Sequence, residues 1–270
     1  SLIQLYGLDK PVYEQYIIWM KNIILRGDLG RSLQWNKPVK EVIGERLALT
    51  VVISLLTICV TWIIAIPIGI YSATHQYTIS DYFFTFIGFI GISIPGFLLA
   101  LVILYILHTH GYNITGLFSQ GFVEAPWSIF KIIDMLKHIW LPILIIGFSG
   151  TGGLIRVMRA TLLDELRKQY VITARAKGVP ERRLLFKYPV RLALNPVIST
   201  IGWMLPSIIS GETLVSIVLN LQTTGPVLLR ATMVQDMYLA GSFILILSAL
   251  TLTGTLISDI LLAWMDPRIR

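Results

Sequence analysis

Few residues in this sequence have the types and spacing that chemistry at a site would need. Gly150, Gly152 and Gly153 look like a phosphate-binding loop, but they lie inside an apolar run, where close packing between helices explains them better. The sequence contains no Gly-x-x-x-x-Gly-Lys-Ser/Thr motif, so ATP would have to be bound by another chain. His108 and His110 lack supporting ligands for a metal ion. We therefore predict no catalytic residue, no metal site and no cofactor in this chain.

Basic residues are the ionisable groups that cluster most clearly. Residues 156–191 hold ten of the 22 Lys and Arg residues, against three acids, Asp164, Glu165 and Glu181. The ten are Arg156, Arg159, Arg167, Lys168, Arg175, Lys177, Arg182, Arg183, Lys187 and Arg191. A solvated loop between membrane spans would carry such charge by topology alone, so charge by itself does not identify a site.

Within this segment, one stretch has the pattern of a short helix, a turn and a second helix. Thr173 to Lys177 favour a helix, Gly178 can cap it, and Pro180 can open the next helix at its first position. A helix of about nine residues is marginal alone in water. We therefore expect either the rest of the bundle or a partner protein to hold it.

The elements that must position this stretch are transmembrane helices. The sequence is 55% apolar and 14% charged, whereas an ordinary soluble domain is about 25% charged. Spanning a bilayer takes about 20 apolar residues, and each span must be helical to satisfy its backbone. Five uncharged runs meet or approach that length: Leu47–Tyr71, Tyr82–Leu107, Ile139–Ile155, Leu192–Gly211 and Met237–Ser258. The sequence thus predicts an all-α membrane protein, a polytopic helical bundle with five spans.

The distribution of Lys and Arg orients the predicted spans. The basic segment 156–191 and the C-terminus are predicted in the cytoplasm, because the next inter-span loop carries only Arg230. Five spans then place residues 1–46 outside, although these carry seven basic residues. A missing N-terminal span ahead of Ser1 would reconcile the two counts, since the positive-inside rule applies weakly to an extended exported segment.

Residues 1–46 are accordingly predicted as an extracytoplasmic segment and residues 47–270 as the transmembrane domain. Between Pro11 and Leu25, apolar side chains recur at helical intervals, which indicates an amphipathic helix. Its apolar face would lie either against the membrane or against the rest of the domain.

The basic segment resembles the cytoplasmic "EAA" loop of ABC importer permeases, specifically of the dipeptide/oligopeptide/nickel permease family. The residues that carry the likeness are Ala174-Arg-Ala-Lys-Gly178, Glu181-Arg-Arg183 and Asn195-Pro196. Gly27-Asp-Leu-Gly-Arg-Ser32 and Asp266-Pro-Arg-Ile-Arg270 are similar to the exported segment and the C-terminal end of the same family. The resemblance therefore covers essentially the whole chain.

This resemblance implies the type I ABC importer fold and a role in ATP-driven import by alternating access. The coupling loop would span residues 160–193 and contact the ATP-binding subunit through Thr173, Ala174, Arg175, Ala176, Lys177, Gly178 and Glu181. The implied partners are a second homologous permease subunit, two ATP-binding subunits that hold ATP and Mg, an extracytoplasmic substrate-binding protein and membrane lipid. The implied location is the prokaryotic plasma membrane. We expect no nucleic-acid partner, because membrane topology explains the basic residues.

The cargo is where the sequence departs from the family. Ile172-Thr173-Ala174 stands where the strict loop pattern has Glu-Ala-Ala. Ser216 stands where the family usually has a glutamate at the outer end of a span, and the acid here is Glu212. We expect Glu212, Ser216 and Trp203 to border the translocation pathway, although Glu212 could instead be interfacial or paired with a neighbour. The resemblance implies oligopeptides or related small oligomers as the cargo; oligosaccharides are the alternative, and members of the family also carry nickel.

An ATP-independent secondary carrier is the alternative function. Such a carrier predicts buried charge pairs or discontinuous helices near the membrane midplane, and often two halves related by a repeat. Neither feature is evident in the sequence.

Overall fold

A computed structural model describes residues 10–112, 114–202, 204 and 213–265, apart from the side chain of Glu45. Within these residues the secondary structure is helical, with one isolated bridge between Arg31 and Pro38. This agrees with the predicted all-α class.

The described residues form eleven named helices. In the first half of the chain these are α1 (Val12–Arg26), α2 (Val39–Thr74), α3 (Ile79–Ser93), α4 (Gly96–Thr109) and α5 (Ile129–Leu166). The others are α6 (Gln169–Ala176), α7 (Glu181–Lys187), α8 (Pro189–Ser199), α9 (Thr213–Val218), α10 (Thr224–Met233) and α11 (Met237–Met265).

Local sequence signals set several helix ends. Helix α1 follows Pro11 and stops at Gly27, whose φ of 63° is a left-handed conformation that glycine adopts without strain. The Thr78 hydroxyl accepts a hydrogen bond from the Asp81 amide and caps α3, and Ser128 caps α5 by accepting from the Lys131 amide. The amphipathic helix predicted between Pro11 and Leu25 is therefore present, shifted by one residue.

Two described helices, α2 and α11, are long and apolar enough to cross a membrane, and α3 with α4 would make a third. These last two meet at an angle of 101°, so the span predicted as Tyr82–Leu107 is broken. The break has a local cause: proline disfavours helical geometry in the residue before it, and Ile94 is extended ahead of Pro95.

The other two predicted spans are not among these candidates in the described residues. The run Ile139–Ile155 lies within α5, whose 38 residues extend over about 55 Å at 1.5 Å per residue. The run Leu192–Gly211 begins within α8, which ends at Ser199, and most of residues 203–211 lie outside the described residues.

Helix α5 is the centre of the bundle. Helices α2, α3 and α8 pack against it, and α11 packs on α8 and α2. One buried apolar cluster joins α2, α4, the first half of α5 and α9, and a second joins α2, the second half of α5 and α8. A third cluster joins the start of α2 to α10 and α11.

The two ends of the bundle are held by different polar contacts. We name the segment α6–turn–α7, residues 169–187, the connector. At the end of the bundle that carries it, the connector end, Arg159 pairs with Asp81, and the Arg191 Nε donates to the Met265 carbonyl at 2.9 Å. At the other, the far end, the Ser32 hydroxyl donates to the Asp236 carboxylate at 2.6 Å. The turn between α2 and α3 and the end of α11 therefore lie at the same end as α6 and α7.

Glycine lets α3 and α5 approach closely. A Cβ on Gly152 would lie 2.9 Å from the Gly88 carbonyl carbon and closer still to its oxygen, whereas a Cβ on Gly153 would meet nothing within 4 Å. The packing role expected for this glycine group is thus seen at Gly152.

Gly152→Ala should therefore destabilise the protein by about 1–3 kcal/mol, because the added methyl forces backbone apart. Gly153→Ala is the matched control one residue away, and it should be neutral or slightly stabilising. Thermal unfolding in detergent micelles, followed by tryptophan fluorescence, measures both. Equal melting temperatures for the two variants would contradict the close contact.

Candidate functional site

The predicted helix–turn–helix is present between α5 and α8. Helix α6 ends at Ala176, and Gly178 follows with a φ of 76°. The Val179 amide donates to the Ala174 carbonyl at 3.3 Å, and the Gly178 amide donates to Arg175 at 3.0 Å. These two bonds form a Schellman motif, which satisfies carbonyls at the helix end and requires the left-handed residue.

The boundaries differ slightly from those predicted. Helix α6 has eight residues, Gln169–Ala176, close to the nine or so expected, and its C-cap is Lys177 rather than Gly178. Pro180 is the N-cap of α7 and not its first residue, so α7 begins at Glu181. Proline serves at either position because the first helical amides need no intrahelical acceptor.

A two-pronged ion pair closes the turn. The Arg175 Nε and Nη2 donate to the two carboxylate oxygens of Glu181 at 2.5 and 3.2 Å. The hydrogen bond from Arg175 lowers the pKa of the Glu181 carboxyl below its ordinary 4.5, and Glu181 raises the pKa of Arg175. Because the carboxyl pKa is lowered, the pair is complete at neutral pH and is lost only as the pH falls through that lowered value.

This pair changes how the predicted basic residues are used. The family resemblance implies that Arg175 contacts an ATP-binding subunit, but within this chain its guanidinium already pairs with Glu181. Lys177 is exposed and has no ion pair among the described residues. Pairing of either residue with a partner stays a prediction.

Two fully buried apolar side chains hold the site on the bundle. Val171 in α6 and Leu184 in α7 are each 0% exposed, whereas Ile172 and Phe186 are 48% and 55% exposed. Helix α6 packs on α7, and α7 packs on α8. The site therefore has an anchored inner face and an outer face that combines apolar and basic groups. Val171 and Leu184 were not predicted, although an apolar residue inside each basic helix was a signal for them.

The start of α6 is fixed from α5. The Glu165 carboxylate accepts from the Lys168 Nζ at 2.5 Å and from the Tyr170 hydroxyl at 2.5 Å. Lys168 precedes α6 as its N-cap, and Tyr170 lies in its first turn. Glu165 therefore sets the direction in which α6 leaves α5.

A buried ion pair lies one turn and a half further back along α5. The Arg159 Nε and Nη2 donate to the Asp81 carboxylate at 3.1 and 2.9 Å, and Asp81 is 2% exposed. The Ser72 hydroxyl and the Tyr77 amide also donate to Asp81. Through these hydrogen bonds to Asp81, the turn between α2 and α3 is held against α5, next to the connector.

The three predicted pathway residues cannot be assembled into one site here. Trp203 and Glu212 lie outside the described residues. Ser216 lies in α9 and is 5% exposed, among the apolar residues Val215 and Leu219. Their role in a pathway stays a prediction. Among the described residues no group of three His, Cys, Asp or Glu side chains is placed to hold a metal ion.

Comparison with known proteins places this arrangement in a family. Residues 65–270 match the family described as "Binding-protein-dependent transport system inner membrane component". The chain is similar to the oligopeptide transport system permease protein AppB of Bacillus subtilis (strain 168), with 37% identity over all of this chain and 84% of that protein.

Two further relatives extend the comparison. The inner membrane ABC transporter permease protein YejB of Escherichia coli O157:H7 is 32% identical over 98% of this chain and 73% of its own length. The oligopeptide transport system permease protein OppB of Mycobacterium tuberculosis (strain ATCC 25618 / H37Rv) is 28% identical over 98% of this chain and 82% of its own length. With a family match over residues 65–270 and an all-helical bundle, the chain belongs to the multi-pass inner-membrane permeases of the peptide/oligopeptide ABC importers, with their type I fold.

Proposed function

We propose that this chain forms half of the translocation pathway of an ATP-driven importer that works by alternating access. Its partners would be a second homologous permease, two ATP-binding subunits that carry ATP and Mg, and an extracytoplasmic substrate-binding protein. Membership of an ABC permease family outweighs the ATP-independent carrier, although the break between α3 and α4 is one of the features that such a carrier predicts. The observation that supports the proposal is that the α6–turn–α7 connector exposes its outer face, whereas Val171 and Leu184 on its inner face are fully buried.

The outer face of the connector has the chemistry of a docking surface. Ile172 and Phe186 are exposed apolar groups, and the same helices and their turn also expose the basic residues Lys177, Arg182 and Arg183. Apolar anchors with a charged rim are typical of protein interfaces. A partner that covers this face would bury both apolar side chains and meet the basic rim with acids.

The inner face supplies a route for the motion. A displacement of α6 would be passed to α7 and then to α8, because these helices pack in that order. Helix α8 packs on both α5 and α11, so the displacement would reach helices that cross the membrane. In this mechanism Glu165 and the Arg175–Glu181 pair keep the connector rigid while it moves.

For the cargo we propose oligopeptides, because two of the similar permeases carry oligopeptide transport in their names. An oligosaccharide is the second candidate. It is favoured by the uncharged Ser216, which stands where the family resemblance predicts a glutamate. Competition for uptake between a labelled peptide and an oligosaccharide would separate the two.

A crosslink tests the coupling role. The lone Cys59 is exposed and must be replaced, so the starting protein is Cys59→Ala. Lys177→Cys in that background should crosslink to single cysteines in the groove of the co-expressed ATP-binding subunit, with a yield that changes when ATP is added. Lys21→Cys, exposed on α1, is the matched control and should give no crosslink.

Two negative results of this crosslinking experiment would have different meanings. An intact complex with no crosslink anywhere along the groove would mean that the connector is not the coupling element. If no ATP-binding subunit co-purifies with the chain, the importer proposal itself is wrong.

A further inference from the structure

The start of α2 and the segment before it form an open, positively charged pocket, which we name the Trp35 pocket. Its volume is about 620 Å³, and it is lined by Trp35, Lys37, Lys40, Glu41 and Arg46 among others. Three of these residues are basic and one is acidic. The connector and the proposed pathway use none of them.

A further cation and two exposed lysines add to the positive charge of the Trp35 pocket. The guanidinium carbons of Arg46 and Arg230 lie 5.9 and 5.8 Å from the centre of the Trp35 ring, so α10 brings a further cation to the pocket. Lys37 and Lys40 are exposed and make no ion pair among the described residues. The pocket therefore presents a concentrated positive field to the far end of the bundle.

The height of the pocket above the bilayer selects the kind of partner. Helix α2 starts at Val39, eight residues before the uncharged run begins at Leu47, which places its first turn about 12 Å above the hydrocarbon at 1.5 Å per residue. One headgroup layer is only about 5–8 Å thick. With α2 upright and Leu47 at the edge of the hydrocarbon, Arg46 would lie at the level of lipid headgroups, and the backbone of Lys37 and Lys40 would lie beyond them. A protein docked on this side of the membrane can then reach both lysines.

We propose that the Trp35 pocket is a docking surface for an acidic patch of the extracytoplasmic binding protein. The inference rests on the proposed function, since only an importer of this kind has such a partner. It also gives a reason for basic residues in a segment predicted to lie outside, where the positive-inside rule does not favour them. Arginine and aromatic residues are enriched at the centres of interfaces, and charge at the rim speeds association.

The test is a double charge reversal, K37E/K40E, in the complete importer reconstituted in vesicles. We measure the concentration of its binding protein that gives half-maximal stimulation of ATP hydrolysis. That concentration should rise about tenfold at low salt, and the difference from wild type should shrink in high salt as the charges are screened. Both lysines are exposed, so hydrolysis without binding protein should not change.

The matched control is K21E/R26E, which makes the same change of charge on exposed residues of α1. It should shift the half-maximal concentration less than about twofold if docking is local to the Trp35 pocket. Equal values for wild type and K37E/K40E would overturn the proposal, as would equal shifts in both double variants. A defect that follows the anionic phospholipid content of the vesicles and not the binding protein would assign the pocket to lipid instead. If wild type itself shows no stimulation by the binding protein, the proposed function fails, and the docking surface with it.

Discussion

Replacing Gly178 with valine should reduce ATP-driven uptake about tenfold while leaving the transmembrane bundle intact. The backbone at Gly178 is left-handed, with a φ of 76°, and this conformation costs an L-residue about 1–2 kcal/mol. Such a cost lowers the population of the Schellman turn by a factor of about 5–30. Because α6 is short and marginal alone, losing the turn should loosen the helix that we propose meets the ATP-binding subunit.

Asparagine at the same position is the matched control. Asn adopts left-handed geometry more readily than other residues, so Gly178→Asn should keep most of the uptake. Crowding by the described residues does not explain a difference between the two, because a Cβ at Gly178 would meet none of their atoms within 4 Å. Uptake into proteoliposomes, with basal ATP hydrolysis measured alongside, gives the comparison. Equal uptake by the two variants would show that the turn geometry is not needed for coupling.

Removing the Asp81 carboxylate should be the most damaging single change to stability at the connector end. Asp81→Ala leaves Arg159 without its partner, and breaking a buried ion pair costs about 3–5 kcal/mol. We expect about 3 kcal/mol, the low end, because the Arg159 side chain is 30% exposed and can reach water. The Ser72 hydroxyl and the Tyr77 amide also lose their acceptor, which loosens the turn between α2 and α3.

A double-mutant cycle separates the pair from its surroundings. Arg159→Ala alone and the double variant Asp81→Ala/Arg159→Ala complete the cycle, and the double variant should be more stable than the sum of the single losses predicts, by about 1–3 kcal/mol. Asp164→Ala is the matched control, an exposed acid on α5, the helix of Arg159, and should change stability by less than about 0.5 kcal/mol. Strict additivity of the two single changes would mean that the ion pair contributes nothing beyond its separate side chains.

Features set by neighbouring residues could be predicted from the sequence. The ends of α1 lie within one residue of the prediction because Pro11 and Gly27 act locally. The turn at Gly178 was predicted for the same reason. Pro95 lies between α3 and α4 and accounts for the break between them, but the angle of 101° between the two helices depends on what each helix packs against.

Contacts between distant residues could not be predicted. Arg159 and Asp81 are 78 residues apart, and in the sequence each looks like an ordinary charge near a span end. The partner of Arg175 could not be predicted either, although it is close in sequence. A contact with a partner subunit was expected, whereas in the fold its guanidinium pairs with Glu181. Position relative to the bundle, and not residue type, decides such pairings.

The hydrogen bond between Ser32 and Asp236 has a consequence for the order of folding. The two residues are 204 positions apart, and Asp236 also accepts from the amides of Gln34 and Leu239. At about 5–20 residues per second, a ribosome needs roughly 10–40 s to make the chain between them. During that interval the segment around Ser32 is already synthesised but lacks the carboxylate that fixes it. The segment around Ser32 therefore reaches its final shape late in biosynthesis, when the start of α11 arrives.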